Sequence, residues 1–396
     1  MNGNHIFATF RSMEAIIYIS IAYLALTTLV LIRNWFTLEG LNSLSNNEEE
    51  IGFPLVSICI PARNEEDVID RCVTSALKQD YPNFEVLILN DNSTDRTTQI
   101  LDKFSGIIAN LHHLNGKPKP DDWLGKPWAC HQLSLQAKGK YLVFIDADVW
   151  LEESAVSKTV LALTQKDAIT VWPKQHFGSF WEALIIPLVY HVLYTLLPAK
   201  FVERDPDFIP RYLQKKFSLE FAAACGQFLA FNKEAYHKIN GHRSVKNEIV
   251  EDVKLAKILK GRNLGLKMYH GVGTVHCRMY QNHNELWQGF RKNFFAGFSY
   301  NIPKFIAAAI LHIMVFILPF IIAGVSLFGD ADFFKLSLIP IILIFFQRLL
   351  LDIRFGWNPL FSLLHPVAVL WFQGLAIRSV SDYLSGKKAM WKGREV

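Results

Sequence analysis

Apolar positions are gathered into a few long uncharged runs at the two ends of the chain and many short ones in between. Residues 15–32 make 18 positions without a charge, 305–328 make 24 and 359–377 make 19. Each is near the roughly 20 residues a helix needs to cross a bilayer. The pattern predicts transmembrane helices there. A further run at 333–351 has an uncharged core of only 12 residues, 336–347, before Arg348 and Asp352. That length suits a re-entrant or interfacial piece better than a span. Arg33-Asn-Trp follows the first run with no small-residue cleavage site, so 15–32 reads as a retained anchor and not as a signal peptide.

Between these ends the apolar runs are short and alternate with helical periodicity. Strands are expected at 56–60, 85–90 and 141–146, and helices at 65–78, 95–104 and 152–164. Such alternation implies an α/β fold, a mostly parallel doubly wound sheet with ligands bound beyond the carboxyl ends of its strands. The expected organisation is a tail at 1–14, the anchor at 15–32, a linker at 33–54 containing Glu48-Glu-Glu50, a domain at 55–300, membrane helices within 301–377, and a basic tail at 378–396. An uncharged run at 183–199, broken by Pro187 and His191, lies inside the domain, where a crossing would split the sheet across the membrane. An interfacial or core helix is expected there, and the charged stretch 203–216 after it would suit a headgroup surface.

Composition narrows the class. Of 396 residues, 51% are hydrophobic, and the mean hydropathy is +0.18, high for a soluble protein. The five cysteines are scattered and never spaced Cys-x-x-Cys, which fits a reduced, cytosolic domain in a multi-pass membrane protein. A net charge of +5 without a basic stripe gives no case for nucleic acid. Five basic residues against two acids in 378–396 follow the positive-inside bias. Gly271-Val-Gly273 lacks the third glycine of a dinucleotide fingerprint, which removes a Rossmann cofactor site.

The chemistry lies at the strand ends. The strand at 141–146 runs into Asp146-Ala-Asp148, the strand at 85–90 into Asp91-Asn-Ser-Thr-Asp95, and Glu251-Asp252 opens an amphipathic helical stretch. Neighbouring carboxylates repel unless a divalent cation or a hydrogen-bonding ligand lies between them. The set suggests a site for a metal-bound diphosphate. Asp95 is expected to be only a helix cap. His176, His191, His270, His276 and His283 show no zinc-ligand spacing.

Pro61-Ala-Arg-Asn-Glu65, Asn90-Asp-Asn-Ser-Thr-Asp95, Asp146-Ala-Asp148 and Glu251-Asp252, in this order over 55–300, resemble the inverting GT-A glycosyltransferases of family 2. Trp123-Leu-Gly-Lys-Pro-Trp-Ala129, Cys225-Gly-Gln-Phe-Leu-Ala-Phe231 and Trp391-Lys-Gly-Arg394 are similar to the membrane-anchored members that glycosylate carotenoids, of the diaponeurosporenoate and hydroxychlorobactene type. The resemblance implies that Pro61, Ala62, Arg63 and Glu65 lie against the nucleoside and that Asp91 holds the uracil or its ribose. It implies Asp146 on ribose or sugar, Asp148 on the metal, and Asp252 as general base, with Glu251 the next candidate. Gln288-Gly-Phe-Arg291-Lys292 partly matches the Gln-x-x-Arg-Trp of processive relatives, and lysine in place of tryptophan speaks against processive synthesis.

The chemistry requires the same parts without the resemblance. Displacing a sugar from a nucleotide-diphosphate sugar needs charge neutralisation on the leaving diphosphate and a base for the acceptor hydroxyl. Mg²⁺ or Mn²⁺ on Asp148 would supply the first, with Lys126, Arg291 or Lys292 adding positive charge. Trp391 and Arg394 are candidates for diphosphate or acceptor contacts, or for interfacial anchoring. The expected partners are a UDP-sugar, a lipid acceptor and the membrane. A carotenoid hydroxyl or carboxyl is the first acceptor class; polyprenyl phosphate, ceramide and sterol remain open. A transporter is disfavoured because the carboxylates lie outside the spans, and a non-catalytic sugar-binding scaffold because Asp91 and Asp252 are both present.

Overall fold

The computed structural model describes residues 3–45, 52–104, 106, 108–298, 300–387, 390–392 and 394–395, with the backbone alone given at 3–10, 390, 391, 394 and 395. Two compact units share the chain. One is Thr37–His176 with Ala199–Met279, the other Met1–Phe36 with Phe177–Pro198 and Tyr280–Val396. The sequence kept 55–300 together, whereas the observed division places 177–198 and 280–300 in the second unit.

The first unit is built on strands β1 (Val56–Ala62), β2 (Phe84–Asn90), β3 (Leu111–Asn115), β4 (Tyr141–Ile145), β5 (Val149–Leu151), β6 (Ala168–Trp172), β7 (Lys174–Gln175), β8 (Phe228–Asn232), β9 (Leu266–His270) and β10 (Val275–Cys277). Seven of them form one sheet in the order β3-β2-β1-β4-β8-β6-β9. β1 pairs parallel with β2 and β4, β2 with β3, and β6 with β9, while β8 runs antiparallel to both β4 and β6. In β1 every residue but Pro61 is buried and in β4 all five are, as expected of strands covered on both faces. The helix Ile69–Leu77 buries Ile69, Cys72, Val73 and Ala76, one face at helical spacing, against the sheet's core. A smaller sheet, β5-β10-β7, follows the Asp146-Ala-Asp148 turn.

Among the described residues four helices are long and apolar enough to cross a membrane: Arg11–Thr37, Ile302–Ser326, Ala331–Phe355 and Pro359–Leu384. The 333–351 run, expected to be re-entrant or interfacial, belongs to a continuous 25-residue helix, Ala331–Phe355. The polar residues that shortened its apolar core are turned inward. Arg348 Nε donates to Asp352 Oδ1 at 3.1 Å one turn away, and Ser362 Oγ donates to Asp352 Oδ2 at 2.6 Å. Gln347 Nε2 donates to Thr27 and Thr28 at 2.9 and 2.8 Å. The helix Phe180–Leu196 is held in the second unit by Asn34 Nδ2, which donates to Tyr194 O and Leu197 O, and by His191 on Gln347. The amphipathic helix His283–Phe294 packs beside His365–Leu384 through Trp287 on Trp371 and Phe294 on Phe372.

Candidate active site

β1 and β2 pair in register to their last residues, Ala62 opposite Asn90, so the turns that follow them lie side by side. Arg63 Nη1 donates to Asp91 O at 2.6 Å and to Asn92 O at 2.8 Å, and Asp91 N donates to Ala62 O at 2.8 Å. Asn64 and Asn92 adopt φ of 52° and 54°, a left-handed conformation that asparagine tolerates. Asp91 is buried, and Ala62 is buried within β1. Glu65 N donates to Thr97 Oγ1 at 2.8 Å. Asp95 accepts from Thr97 N and Glu66 N at 3.0 and 3.1 Å, which makes it a cap and a tie between the two turns.

The second half of the site gathers at the end of β4. Lys126 enters on the first turn of the helix Gly125–Gln136. That turn is fixed by Trp123, whose ring lies 5.0 Å from both Trp128 and His131, and by Leu124 N, which donates to Lys246 O at 2.7 Å. Lys126 Nζ lies 2.7 Å from Asp146 Oδ1 and 3.2 Å from Glu251 Oε1, and donates to Gly226 O at 3.2 Å. Gly226 N in turn donates to Asp252 Oδ2 at 2.7 Å. Three carboxylates from two separate segments, Asp146 after β4 and Glu251 and Asp252 at the start of the helix Glu251–Gly261, thus gather around one ammonium and one glycine. A cavity of about 280 Å³, measured with its open mouth, is lined by Pro61, Lys126, Asp146, Gly226, Glu251 and Asp252, with Cys130, His242 and Leu255 behind them.

The electrostatics separate these groups. Burial and then the Glu251 charge raise Asp252 to about 6, against the pull of Lys126 and of the Val253 and Gly226 N–H groups. Burial alone would lower Lys126, but Asp146 and Glu251 hold its ammonium well above the usual range. His242 is lowered to about 3 by burial and the Lys126 charge, so it stays neutral at the cavity wall. The pocket therefore holds a permanent cation beside a carboxylate poised near neutral pH, the combination suited to anchoring an anionic leaving group while accepting a proton.

Of the residues singled out in the sequence, Pro61, Lys126, Asp146, Glu251 and Asp252 meet at this cavity, and Arg63, Glu65 and Asp91 form the paired turns at the ends of β1 and β2. Asp148 sits between β4 and β5, where its carbonyl accepts from Arg278 N at 3.3 Å and its carboxylate lies against Cys277. Gln288, Arg291 and Lys292 lie on the helix His283–Phe294 of the second unit. There Arg291 pairs with Asp382 at 2.5 Å and with Gln288 at 3.2 Å. The side chains of Trp391 and Arg394 lie outside the described residues. Gly226, His242 and Cys130 were not anticipated in the sequence. Gly226 had a signal in the Cys225-Gly-Gln motif: an added Cβ would stand 3.0 Å from Lys126 Nζ and 3.2 Å from Asp252 Oδ2.

The chain is similar to known proteins over most of its length. Residues 57–239 match the family model described as glycosyl transferase family 2. The 4,4'-diaponeurosporenoate glycosyltransferases of Staphylococcus aureus strains USA300 and MRSA252 are each 26% identical over 351 residues, covering 86% of this chain and 88% of theirs. A mannosyltransferase from Pyrobaculum calidifontis, solved in complex with GDP-Man and Mn²⁺, superposes with a TM-score of 0.53 at 18% identity, covering 95% of this chain and all of the other. That likeness establishes a shared fold.

Proposed function

Because the chain is a glycosyltransferase with a glycosyl transferase family 2 domain at residues 57–239, we propose that it transfers a hexose from a UDP-sugar to a membrane lipid, a carotenoid hydroxyl or carboxyl, with inversion. The observation that carries the reading is the Lys126–Glu251–Asp252–Asp146 cluster in one cavity at the carboxyl ends of parallel strands. Arg63 and Asp91, tied together at 2.6 Å, present the turn that receives the nucleoside. Lys126 draws negative charge of the donor toward the cavity. Asp252, held by Gly226 N, takes the proton from the acceptor hydroxyl, or stays ionised beside an acceptor carboxylate that needs no base. One direct displacement inverts the anomeric centre and requires no enzyme nucleophile.

The fold implies a divalent metal, and the donor set fits one. Among the described residues no three or more His, Cys, Asp or Glu side chains form a metal cluster. Mg²⁺ and Mn²⁺ in phosphate chemistry commonly take one or two protein carboxylates and complete their shell with phosphate oxygens and water. Asp148 would hold it, and the metal would neutralise charge on the departing diphosphate. Asp146 is engaged by Lys126, which leaves Asp148 as the carboxylate of the pair for this role.

The carotenoid acceptor is supported by the S. aureus relatives and by the four helices of spanning length among the described residues. Incubating the purified full chain with radiolabelled UDP-glucose and either a carotenoid acid, a carotenoid alcohol, a polyprenyl phosphate, a ceramide or a sterol tests it. A labelled carotenoid glycoside is the expected product. Label only in another lipid would overturn the acceptor, and label in none with a soluble sugar accepted instead would overturn the lipid reading.

A further inference from the structure

The chain leaves the helix-rich unit at Pro198 and within thirteen residues begins the short helix Arg211–Ser218 of the sheet-bearing unit. That helix has a divided surface. Ser218 is buried, and Gln214 turns inward to donate from Nε2 to Pro206 O at 3.0 Å. Arg211, Tyr212, Lys215 and Lys216 are exposed, and at ~100° per residue they fall on one continuous face with Tyr212 between the cations. Tyr212 is 84% exposed, Phe208 just before the helix 71%, and Phe217 at its end 46%. Of the acids nearby, Glu203 is paired with Lys166 at 2.7 Å and Asp205 accepts from Ser218 Oγ, while Asp207 and Glu220 lie outside the helix.

A single exposed aromatic is ordinary on a protein surface, but Tyr212 set among three clustered cations, with exposed Phe208 three residues before them, is not. Aromatic rings and basic side chains on one face are the pattern of an element that rests at a bilayer interface, the rings at headgroup depth and the cations on lipid phosphates. Zwitterionic lipid would satisfy the rings but give the cations no net partner. A soluble acidic protein would satisfy the cations but leave the rings without an apolar phase.

We propose that Phe208, Arg211, Tyr212, Lys215 and Lys216 form a docking surface for an anionic lipid bilayer. The surface steadies the sheet-bearing unit against the membrane from which a lipid acceptor would arrive. The proposal holds whether or not the acceptor is a carotenoid, because it concerns bulk headgroups and not the substrate. Each cation near an anionic surface is worth about fivefold in partitioning at moderate salt, and that gain is screened beyond a Debye length of about 8 Å at physiological salt.

All five natural cysteines are buried, so a Tyr212→Cys variant of the full chain can be labelled at one site with an environment-sensitive fluorophore. The labelled protein is placed in nanodiscs of phosphatidylcholine alone or with phosphatidylglycerol. The expected result is a blue-shifted emission, quenched by brominated acyl chains, in the phosphatidylglycerol discs and lost in high salt. Adding Lys215→Glu and Lys216→Glu should reduce the lipid-dependent quenching at least about tenfold, two charge reversals at the per-charge scale above. UDP binding by that variant should be unchanged, which separates a surface effect from misfolding. Emission equal in both kinds of disc, or quenching indifferent to the charge reversals, would overturn the proposal.

Discussion

Replacing Lys126 by methionine should shift the pH profile of turnover rather than merely scale it. In the proposed role Asp252 would act as a base only when ionised, and burial with the Glu251 charge pushes its pKa up to about 6. Below that pH the wild-type kcat/KM for a hydroxyl acceptor should fall tenfold per unit. Lys126 is one of the groups that hold Asp252 down, and Glu251, 3.2 Å from the ammonium, is the group that pushes it up. Without the ammonium, Glu251 acts uncompensated. The Gly226 Cβ position lies 3.0 Å from Lys126 Nζ and 3.2 Å from Asp252 Oδ2, so the two charges are at most about 6 Å apart, and at an effective dielectric of ~20 a unit charge at that distance is worth roughly 3 kcal/mol, or about two pKa units. Solvent at the cavity mouth reduces this, so a rise of about one to two units is expected.

With the limb moved to about 7.5, the ionised fraction at pH 6.5 drops from about three-quarters to about one-tenth, while at pH 9 both enzymes are fully ionised. The loss attributable to the base is therefore about eightfold at pH 6.5 and vanishes at pH 9, whereas weakened donor binding would cost the same at both. Lys126→Arg keeps the charge and should keep the limb near its wild-type place. Asp252→Asn should bind the donor normally, turn over at least about a hundredfold more slowly, and show no limb at all. The assay is kcat/KM between pH 5 and 9 with an alcohol acceptor. A Lys126→Met profile parallel to wild type, or a wild-type limb near 4, would refute the electrostatic account.

Gly226→Ala should lower turnover at least tenfold while leaving the thermal midpoint within a few degrees, because its Cβ would stand 3.0 Å from Lys126 Nζ and 3.2 Å from Asp252 Oδ2; unchanged kinetics would show that the Lys126–Gly226–Asp252 relay does not matter. EDTA and Asp148→Ala should each abolish transfer, and full activity in EDTA would remove the metal from the reaction.

The strands that carry the site were legible because their apolar runs end abruptly in charge. β1, β2 and β4 fall where 56–60, 85–90 and 141–146 were expected, each within two residues. The strands on the other side of the sheet were not. β8 is a four-residue apolar stretch whose direction, antiparallel to β4 and β6, is set by partners 60 to 90 residues away in sequence, and nothing local encodes that. Lys126 was noticed as positive charge, but its partners Asp146 and Glu251 are 20 and 125 positions away, so the cluster that defines the cavity exists only once the sheet has formed.

The helix-rich unit inverts that lesson. Arg348, Asp352 and Gln347 interrupt an apolar run, and along a sequence an interruption reads as the end of a membrane helix. In three dimensions each finds its partner on the bundle's inner side, Asp352 for Arg348 within one turn, Thr27 and Thr28 for Gln347 some 320 positions earlier. All three are wholly buried, while Ile342, Leu349 and Ile353 of the same helix are exposed and face outward. A helix that turns its polar side chains inward and its apolar ones outward is built for lipid and not for water. Hydropathy averaged along the chain cannot distinguish that arrangement from a surface helix with a charged face, because it sums over faces that the membrane treats separately. Substituting Gln347 by leucine would therefore raise the hydropathy of the run yet weaken its attachment to the N-terminal helix, since Thr27 and Thr28 would each lose the amide that donates to them.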